Sequence, residues 1–258
     1  MPSVLSQRLA GGKICLQLLP RAAYSARDPA QSQTLGVTLE RQRGVHAIDS
    51  DRRTDFDTFA GVMAYTPIGV EVFSESATGG EYLLMRLDEQ FASEQLPSVA
   101  HRVQSCGNRR ALTLAREVRR QLFVTQPDVL ALEQCAVALV GVANSQTDTG
   151  QRATPKAFAR VMEQITEQFQ QPLTLEQLAA SYGQNELRFL RDFTRAIGMT
   201  PHAYLVEVRL QAARWMIECT DLPLAGIAFD AGFAHQSHMG SVFRKHLGMT
   251  PCQYRSRF

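Results

Sequence analysis

The chain has 258 residues, of which 45% are hydrophobic and 20% charged, with a net charge of +2. That length is enough for two domains with separate cores, and that composition excludes a disordered tail and describes an ordinary soluble globular protein. The charge alone says nothing of nucleic acid, but it is unevenly held. Residues 1–152 carry 16 Lys+Arg against 16 Asp+Glu, and residues 153–258 carry 11 against 9 together with four of the six histidines.

At the N-terminus, Arg8 and a weakly apolar stretch precede Ala23-Tyr24-Ser25-Ala26, but Lys13 and Gln17 interrupt any signal-peptide core. The cysteines Cys15, Cys106, Cys135, Cys219 and Cys252 are odd in number and form no Cys-x-x-Cys pair, which suits buried thiols in a reducing compartment. Both features point to a cytoplasmic protein. The longest uncharged run, Gln134 to Thr147, is too short to span a bilayer, so no membrane is expected as a partner.

From Leu35 to Leu87 apolar residues alternate at strand period. Leu35, Val37 and Leu39 share one face, Phe59, Gly61, Met63 and Tyr65 another, Val70 and Val72 follow, and Tyr82 to Leu87 forms a further run after Gly79-Gly80. Several short strands at this spacing suggest a small barrel or sandwich over residues 1–105. Within it Arg41 and Arg43 project to one side of a strand and Arg52-Arg53 follow in a loop. Such a constellation suits clamping a phosphate or carboxylate, as in a nucleotide or another anionic effector. Asp49, Asp51, Asp55 and Asp57 are near enough to neutralise the same arginines in surface pairs. Both readings stand at this point.

Over residues 106–143 the period becomes helical, with Leu112, Leu114, Ala115, Val118 and Leu122 in one helix and Val129 to Val142 in a second, after Pro127-Asp128. The second is apolar on much of its surface and predicts a homodimer, with Leu132 among its outward residues. Residues 144–152 are polar and read as a linker.

From residue 153 to 258 everything reads as helix. Pro155 suits a helix start, Thr174-Leu175-Glu176-Gln177 is a capping box, Gly183 breaks that helix, and Asn185 is a natural N-cap for a helix from Glu186 to Ala196. Gly198-Met199-Thr200-Pro201 then returns fifty positions later as Gly248-Met249-Thr250-Pro251, and Phe193 returns as Phe243. Each copy closes a helix, a glycine turn and a second helix, the pattern of a helix-turn-helix. Between them Pro201 opens a segment with no breaker before Asp221, about nineteen residues or roughly 28 Å at ~1.5 Å per residue. A strut of that length holds two recognition helices about one DNA turn of ~34 Å apart.

These residues resemble the AraC/XylS family of bacterial transcription regulators. The resemblance runs from Leu178-Ala179-Ala180 through Arg191-Asp192-Phe193, Tyr204-Leu205, Arg209-Leu210 and Ala213 to Ile227-Ala228, Gly232-Phe233, Ser237-His238, Phe243-Arg244-Lys245 and Tyr254-Arg255. It implies seven helices in two lobes joined by one long helix, and double-stranded promoter DNA as the partner, with RNA polymerase if the protein is an activator. It also implies that the first recognition helix presents Leu187, Arg188, Leu190 and Arg191, with Arg191 able to grip a guanine edge. The second, from about His235 to Leu247, presents Gln236, Ser237, His238, Gly240 and Ser241, where Ser241 stands in place of a usual arginine. Arg244, Lys245 and His246 lie beyond and suit phosphates.

Family members often carry an N-terminal cupin-like barrel that binds an effector, followed by dimerising helices; here that part of the resemblance is one of architecture. The expected fold is therefore a mostly-β cupin-like barrel with a helical hairpin, followed by an all-α domain with two helix-turn-helix lobes. His46 and His101 are the only histidines before residue 202, too few for a catalytic cupin metal, so no metal and no cofactor is expected and each reads as a satisfied polar residue. The Pro-Cys-His-Arg nucleophile of regulatory DNA-repair alkyltransferases is absent, Pro251-Cys252 being followed by Gln253. Two alternatives to an effector-controlled regulator remain: control by a protein partner or by expression level alone, and an enzyme with an appended regulatory module.

Overall fold

The computed structural model describes residues 4–28, 31–96, 98–105, 108–145 and 158–257, which belong to two compact units, Met1–Thr154 and Pro155–Phe258. Cys106, the linker from residue 146 onward and the helix start at Pro155 lie outside the described residues.

The first unit holds strands β1 (Leu5–Leu9), β2 (Ile14–Leu19), β3 (Tyr24–Asp28), β4 (Gln33–Thr38), β5 (Gln42–Ile48), β6 (Thr54–Thr58), β7 (Met63–Thr66), β8 (Val72–Ser76) and β9 (Tyr82–Leu87). Helix α1 (Glu89–Gln95), strand β10 (Val103–Ser105) and helices α2 (Arg109–Phe123) and α3 (Val129–Asn144) follow. The strands form a six-stranded sheet, ordered β1-β2-β9-β4-β7-β10, and a four-stranded sheet, ordered β3-β8-β5-β6, in which every pairing is antiparallel. Residues Phe59 and Gly61 fall in the turn between β6 and β7 rather than on a strand, because Gly61 takes a left-handed φ of 89° there. Strands β1 to β3, β6 and β10 and helix α1 lie beyond the sequence expectation, while the strand expected at Arg41 and Arg43 is β5.

Strand periodicity gives the larger sheet two different faces. Leu35 and Val37 of β4 and Leu83, Met85 and Leu87 of β9 are buried on one face, and α2 packs on β4 through the apolar side of the hairpin, with Leu112, Ala115 and Val118 buried. The pairs Leu35 with Met85 and Val37 with Leu83 fix this register, since a slip by one residue would carry Arg86 and Thr34 into the core and the leucines out of it. Beside this core lies a fully buried ion pair, Arg119 of α2 with Glu81 at 3.0 Å. Leu132 of α3 is fully buried within the unit, contrary to its expected outward position; the exposed apolar residues of that helix are Val129, Leu130 and Val137.

The second unit holds α4 (Ala159–Glu167), α5 (Leu175–Tyr182), α6 (Glu186–Ile197), α7 (Pro201–Cys219), α8 (Leu224–Asp230), α9 (Gln236–Leu247) and α10 (Pro251–Arg255), seven helices among the described residues. The fifty-residue repeat is a repeated joint. Gly198 (φ 81°) and Gly248 (φ 72°) end α6 and α9 in the left-handed conformation that L side chains avoid. Thr200 and Thr250 then cap α7 and α10, accepting from Ala203 N and Gln253 N at 3.2 Å, and Pro201 and Pro251 occupy the first helical position. Phe193 packs edge-on against Tyr204 at 6.2 Å, as Phe243 does against Tyr254 at 5.7 Å.

Candidate functional site

Helix α6 is built to present one face. The capping box at Thr174 and Gln177 starts α5, and Asn185 Oδ1 accepts from Arg188 N at 3.0 Å to start α6. Phe189 and Phe193 are fully buried, each worth about 1.5–3 kcal/mol, which outweighs the exposure of Leu187, 73% accessible, on the other face. Arg188 and Arg191 are exposed and Leu190 is half-buried. Arg188 and Arg195 both approach Asp192, at 3.7 and 3.9 Å. Arg191 instead extends over its own helix, with Nε 3.4 Å from Leu187 O.

Helix α9 is capped by His235, whose Nδ1 accepts from His238 N at 3.1 Å. Gln236, Ser237, Ser241, Arg244 and Lys245 are exposed, and the Ser241 hydroxyl donates to Ser237 O at 3.0 Å. His238 is half-buried, edge-on to Phe233 at 5.4 Å. Desolvation, with the nearby His235, Arg209 and His202, lowers its pKa and keeps the ring neutral at pH 7. Two expectations are corrected here. Gly240 is buried rather than outward, with the Arg244 guanidinium 4.0 Å from where a Cβ would sit. His246 turns into the helix bundle, its Nδ1 3.4 Å from the buried Glu207 of α7, because α7 offers a carboxylate that the surface does not.

In the first unit the four arginines do not converge. Arg41 grips Asp57 through both Nε (2.9 Å) and Nη2 (2.7 Å), Arg43 reaches the same carboxylate at 3.4 Å, Arg53 lies over the Phe73 ring at 4.8 Å, and Arg52 is exposed. Burial pushes the Asp57 carboxyl up, but hydrogen bonds and charge from Arg41 and Arg43 outweigh it and hold it below its ordinary value. None of the four lines the cavity that lies between the two sheets of this unit.

That cavity, about 450 Å³, lies between the two sheets. Its walls are the alternate residues that the leucine face leaves over: Thr34 and Thr38 of β4, Thr66 of β7 and Arg86 of β9 on one side, Gln42 and His46 of β5 on the other. Tyr82 also reaches it by crossing Gly36, where a Cβ would sit 1.8 Å from the Tyr82 hydroxyl oxygen. His46 stacks on Phe56, with ring centroids 5.4 Å apart and planes at 8°. Desolvation and the Arg102 charge lower its pKa, so it is neutral at pH 7. Sequence reasoning missed this site; its one local signal is a run of threonines at strand period among apolar neighbours. Among the described residues no group of three or more His, Cys, Asp or Glu is arranged to hold a metal, and no helix is long and apolar enough to cross a membrane.

Residues 178–257, from α5 through α10, match the helix-turn-helix domain family. A helix-turn-helix-type transcriptional regulator of Haemophilus influenzae is 33% identical over 91 residues, which cover 35% of this chain and 30% of that protein. The transcriptional activator NphR of a Rhodococcus species is 34% identical over 127 residues, covering 48% and 37%. A solved regulator with an AraC-type DNA-binding domain, from Chromobacterium violaceum, is 25% identical, covers 39% of this chain and 90% of its own, and superposes with a TM-score of 0.37. The chain spans about a third of the length of these curated relatives.

Proposed function

From a C-terminal unit that belongs to the AraC/XylS family of transcription regulators, we propose that this chain binds promoter DNA through α6 and α9, and that a small molecule in the cavity of the first unit adjusts that binding. The observation that carries the DNA reading is the repeated joint: two capped helices, each ended by the same Gly-Met-Thr-Pro phrase, joined by the 19-residue α7. On α6, Arg191 reads a base edge, Leu187 and Leu190 contact thymine methyls or sugars, and Arg188 sits at the backbone. On α9, Gln236, Ser237, His238 and Ser241 face the groove, while Arg244 and Lys245 hold phosphates and carry most of that lobe's affinity. The protein acts as a cytoplasmic activator that meets RNA polymerase at the promoter. It pairs as a homodimer through the exposed Leu130 and Val137 of α3, which lie seven positions apart on one helix face.

The effector reading rests on a contrast within one sheet. Its helix-facing side is leucine, valine and methionine apart from one hydrogen-bonded pair, Tyr65 with Gln33, whereas its cavity side sets Thr34, Thr38, Thr66 and Arg86 among Ala64, Tyr82 and Leu84. A space kept only for packing would bury apolar groups on both sides, since buried polar groups cost stability unless they are hydrogen-bonded.

Binding of the full chain to a duplex selected from a random pool, compared with a scrambled duplex, tests the DNA reading; equal affinity for the two sinks it. For the effector, the low-molecular-weight fraction of a bacterial extract should raise the thermal midpoint of the wild type and leave Ala64→Phe unmoved, because the added ring occupies the cavity. An extract that shifts neither protein, or both alike, removes the effector.

A further inference from the structure

The cavity carries a row of four polar side chains across the larger sheet. Arg86 of β9 pairs with Thr34 of β4, and Thr34 pairs with Thr66 of β7. Val103 pairs with Tyr65, so the preceding Arg102 stands opposite Thr66, and its Nη1 donates to the Thr66 hydroxyl at 2.8 Å. All four line the cavity. Two arginines thus flank two threonines over three strand spacings, about 14 Å, a span that two arginine side chains close from its ends.

The two arginines are differently engaged. Arg86 shares its Nη1 between Asp28 at 3.2 Å and Ser32 at 3.2 Å. Arg102 has no carboxylate partner among the described residues, and its bond to Thr66 uses Nη1 alone. This leaves the edge formed by Nε and Nη2, the fork that matches a carboxylate in bidentate fashion. The same edge is used elsewhere in this molecule, where Arg41 holds Asp57 through Nε and Nη2. The Arg102 charge is felt at His46 and Tyr24 on the opposite sheet, so the guanidinium faces the cavity and not the solvent side of its strand.

We propose that the effector is a small monocarboxylate with an apolar, ring-bearing body, its carboxylate held by Arg102 and Arg86 over Thr34 and Thr66. The inference rests on the effector reading above and names the chemistry of that ligand. Charge selects the carboxylate: Arg27, the fourth charged residue of the lining, is paired with Glu71 at 2.9 Å, and Arg86, Arg102 and Asp28 then sum to one positive charge, which one carboxylate neutralises. A phosphate monoester brings about −1.5 to −2 at pH 7 and leaves excess negative charge in a partly desolvated site. Beyond the row, Phe56 stacked on His46 and Val72 on the smaller sheet stand across the cavity from Tyr82 and Leu84 on the larger, an apolar slot that suits a ring.

Calorimetry on the full chain with benzoate, phenylacetate and 3-phenylpropanoate, each beside its neutral amide, and with phenyl phosphate, tests the proposal. At least one acid should bind, with its amide and phenyl phosphate at least tenfold weaker. Arg102→Gln should lower affinity for that acid at least tenfold. Arg102→Lys, which keeps the charge and loses the fork, should lower it as well, and it carries the test should Arg102→Gln fail to reach the wild-type thermal midpoint. Arg43→Gln should leave affinity unchanged. The proposal is overturned if an amide or phenyl phosphate binds as tightly as the acids, if the Arg102 variants bind like wild type, or if no acid binds with Kd below about 1 mM. In each of those cases stabilisation by extract, lost in Ala64→Phe, still holds the effector reading, so the two fail separately.

Discussion

Replacing Arg191 with alanine separates base reading from phosphate holding on α6. Of the three exposed arginines there, Arg188 and Arg195 are drawn toward Asp192. Arg191 has only a long contact to its own helix, 3.4 Å from Nε to Leu187 O, beyond the usual N–H···O range, so little is lost when it turns to a guanine edge. A bidentate pair with guanine discriminates by about 1–3 kcal/mol, or about 5- to 150-fold in Kd. Arg191→Ala should therefore weaken binding to a pool-selected duplex by that factor and leave binding to a scrambled duplex nearly unchanged. Arg188→Ala is the control. It should weaken both duplexes alike and reduce the slope of log K against log salt by about 0.9, the signature of one lost phosphate contact. Fluorescence anisotropy at several salt concentrations reads both quantities. If Arg191→Ala lowers both affinities equally and takes the same step out of the salt slope, Arg191 is a phosphate clamp and α6 reads sequence by other means.

Glutamate at both Leu130 and Val137 of α3 should shift the dimerisation Kd by about 100-fold or more, since a buried unpaired charge costs several kcal/mol; sedimentation showing a monomeric wild type at micromolar concentration would refute the interface. Arg119→Met leaves the Glu81 carboxylate, 1% exposed, without its guanidinium and should cost about 3–5 kcal/mol in urea unfolding, partly recovered by adding Glu81→Gln; a loss under about 1 kcal/mol would show that the pair is not what holds α2 to the sheet. The Asp57 carboxyl is held below its ordinary pKa of 3.8, so its contribution is present above that value and is lost as pH falls through the lower folded-state value. With the side chain 39% exposed, Asp57→Asn should cost no more than about 1 kcal/mol at pH 7, and the gap to wild type should close below pH 3.8; a gap independent of pH would mean that the effect is not ionic.

What the sequence made legible was local. The box at Thr174 and Gln177, the cap at Asn185, the glycine stops and the strut from Pro201 are all closed by hydrogen bonds within three or four residues, so residue type and spacing determine them. The cavity is not local: Arg102 meets Thr66 across 36 positions and Arg86 meets Ser32 across 54, and no pattern in the chain announces that register. Arg41 and Arg43 were conspicuous because they are close in sequence, yet Asp57 arrives from the neighbouring strand and takes both. Leu132 and Leu130 show a different limit. A helix apolar on nearly every side has no phase to read, so the expectation of an outward Leu132 has no periodicity behind it, and packing against α2 buries Leu132 and leaves Leu130 exposed.

Within the first unit one continuous set of contacts joins the cavity to the outer surface of α3. Gly80 lines the cavity, Glu81 follows it and accepts at its carbonyl from Leu39 N and Glu40 N, and its carboxylate meets Arg119 of α2. Helix α2 packs along α3, the helix that exposes Leu130 and Val137. Contiguity alone is not coupling, because a ligand that binds two arrangements equally shifts nothing however tightly it binds. A hydrogen-bonded buried pair does resist intermediate positions: moving Glu81 away from Arg119 stretches a 3.0 Å ion pair that is out of water, so a shift of the turn at Gly80 is costly unless the helix shifts with it. Occupancy of the cavity then bears on dimerisation only if the ligand favours one setting of that pair. Linkage requires the effect to be reciprocal, with the dimer binding ligand more tightly by the same factor by which ligand strengthens the dimer.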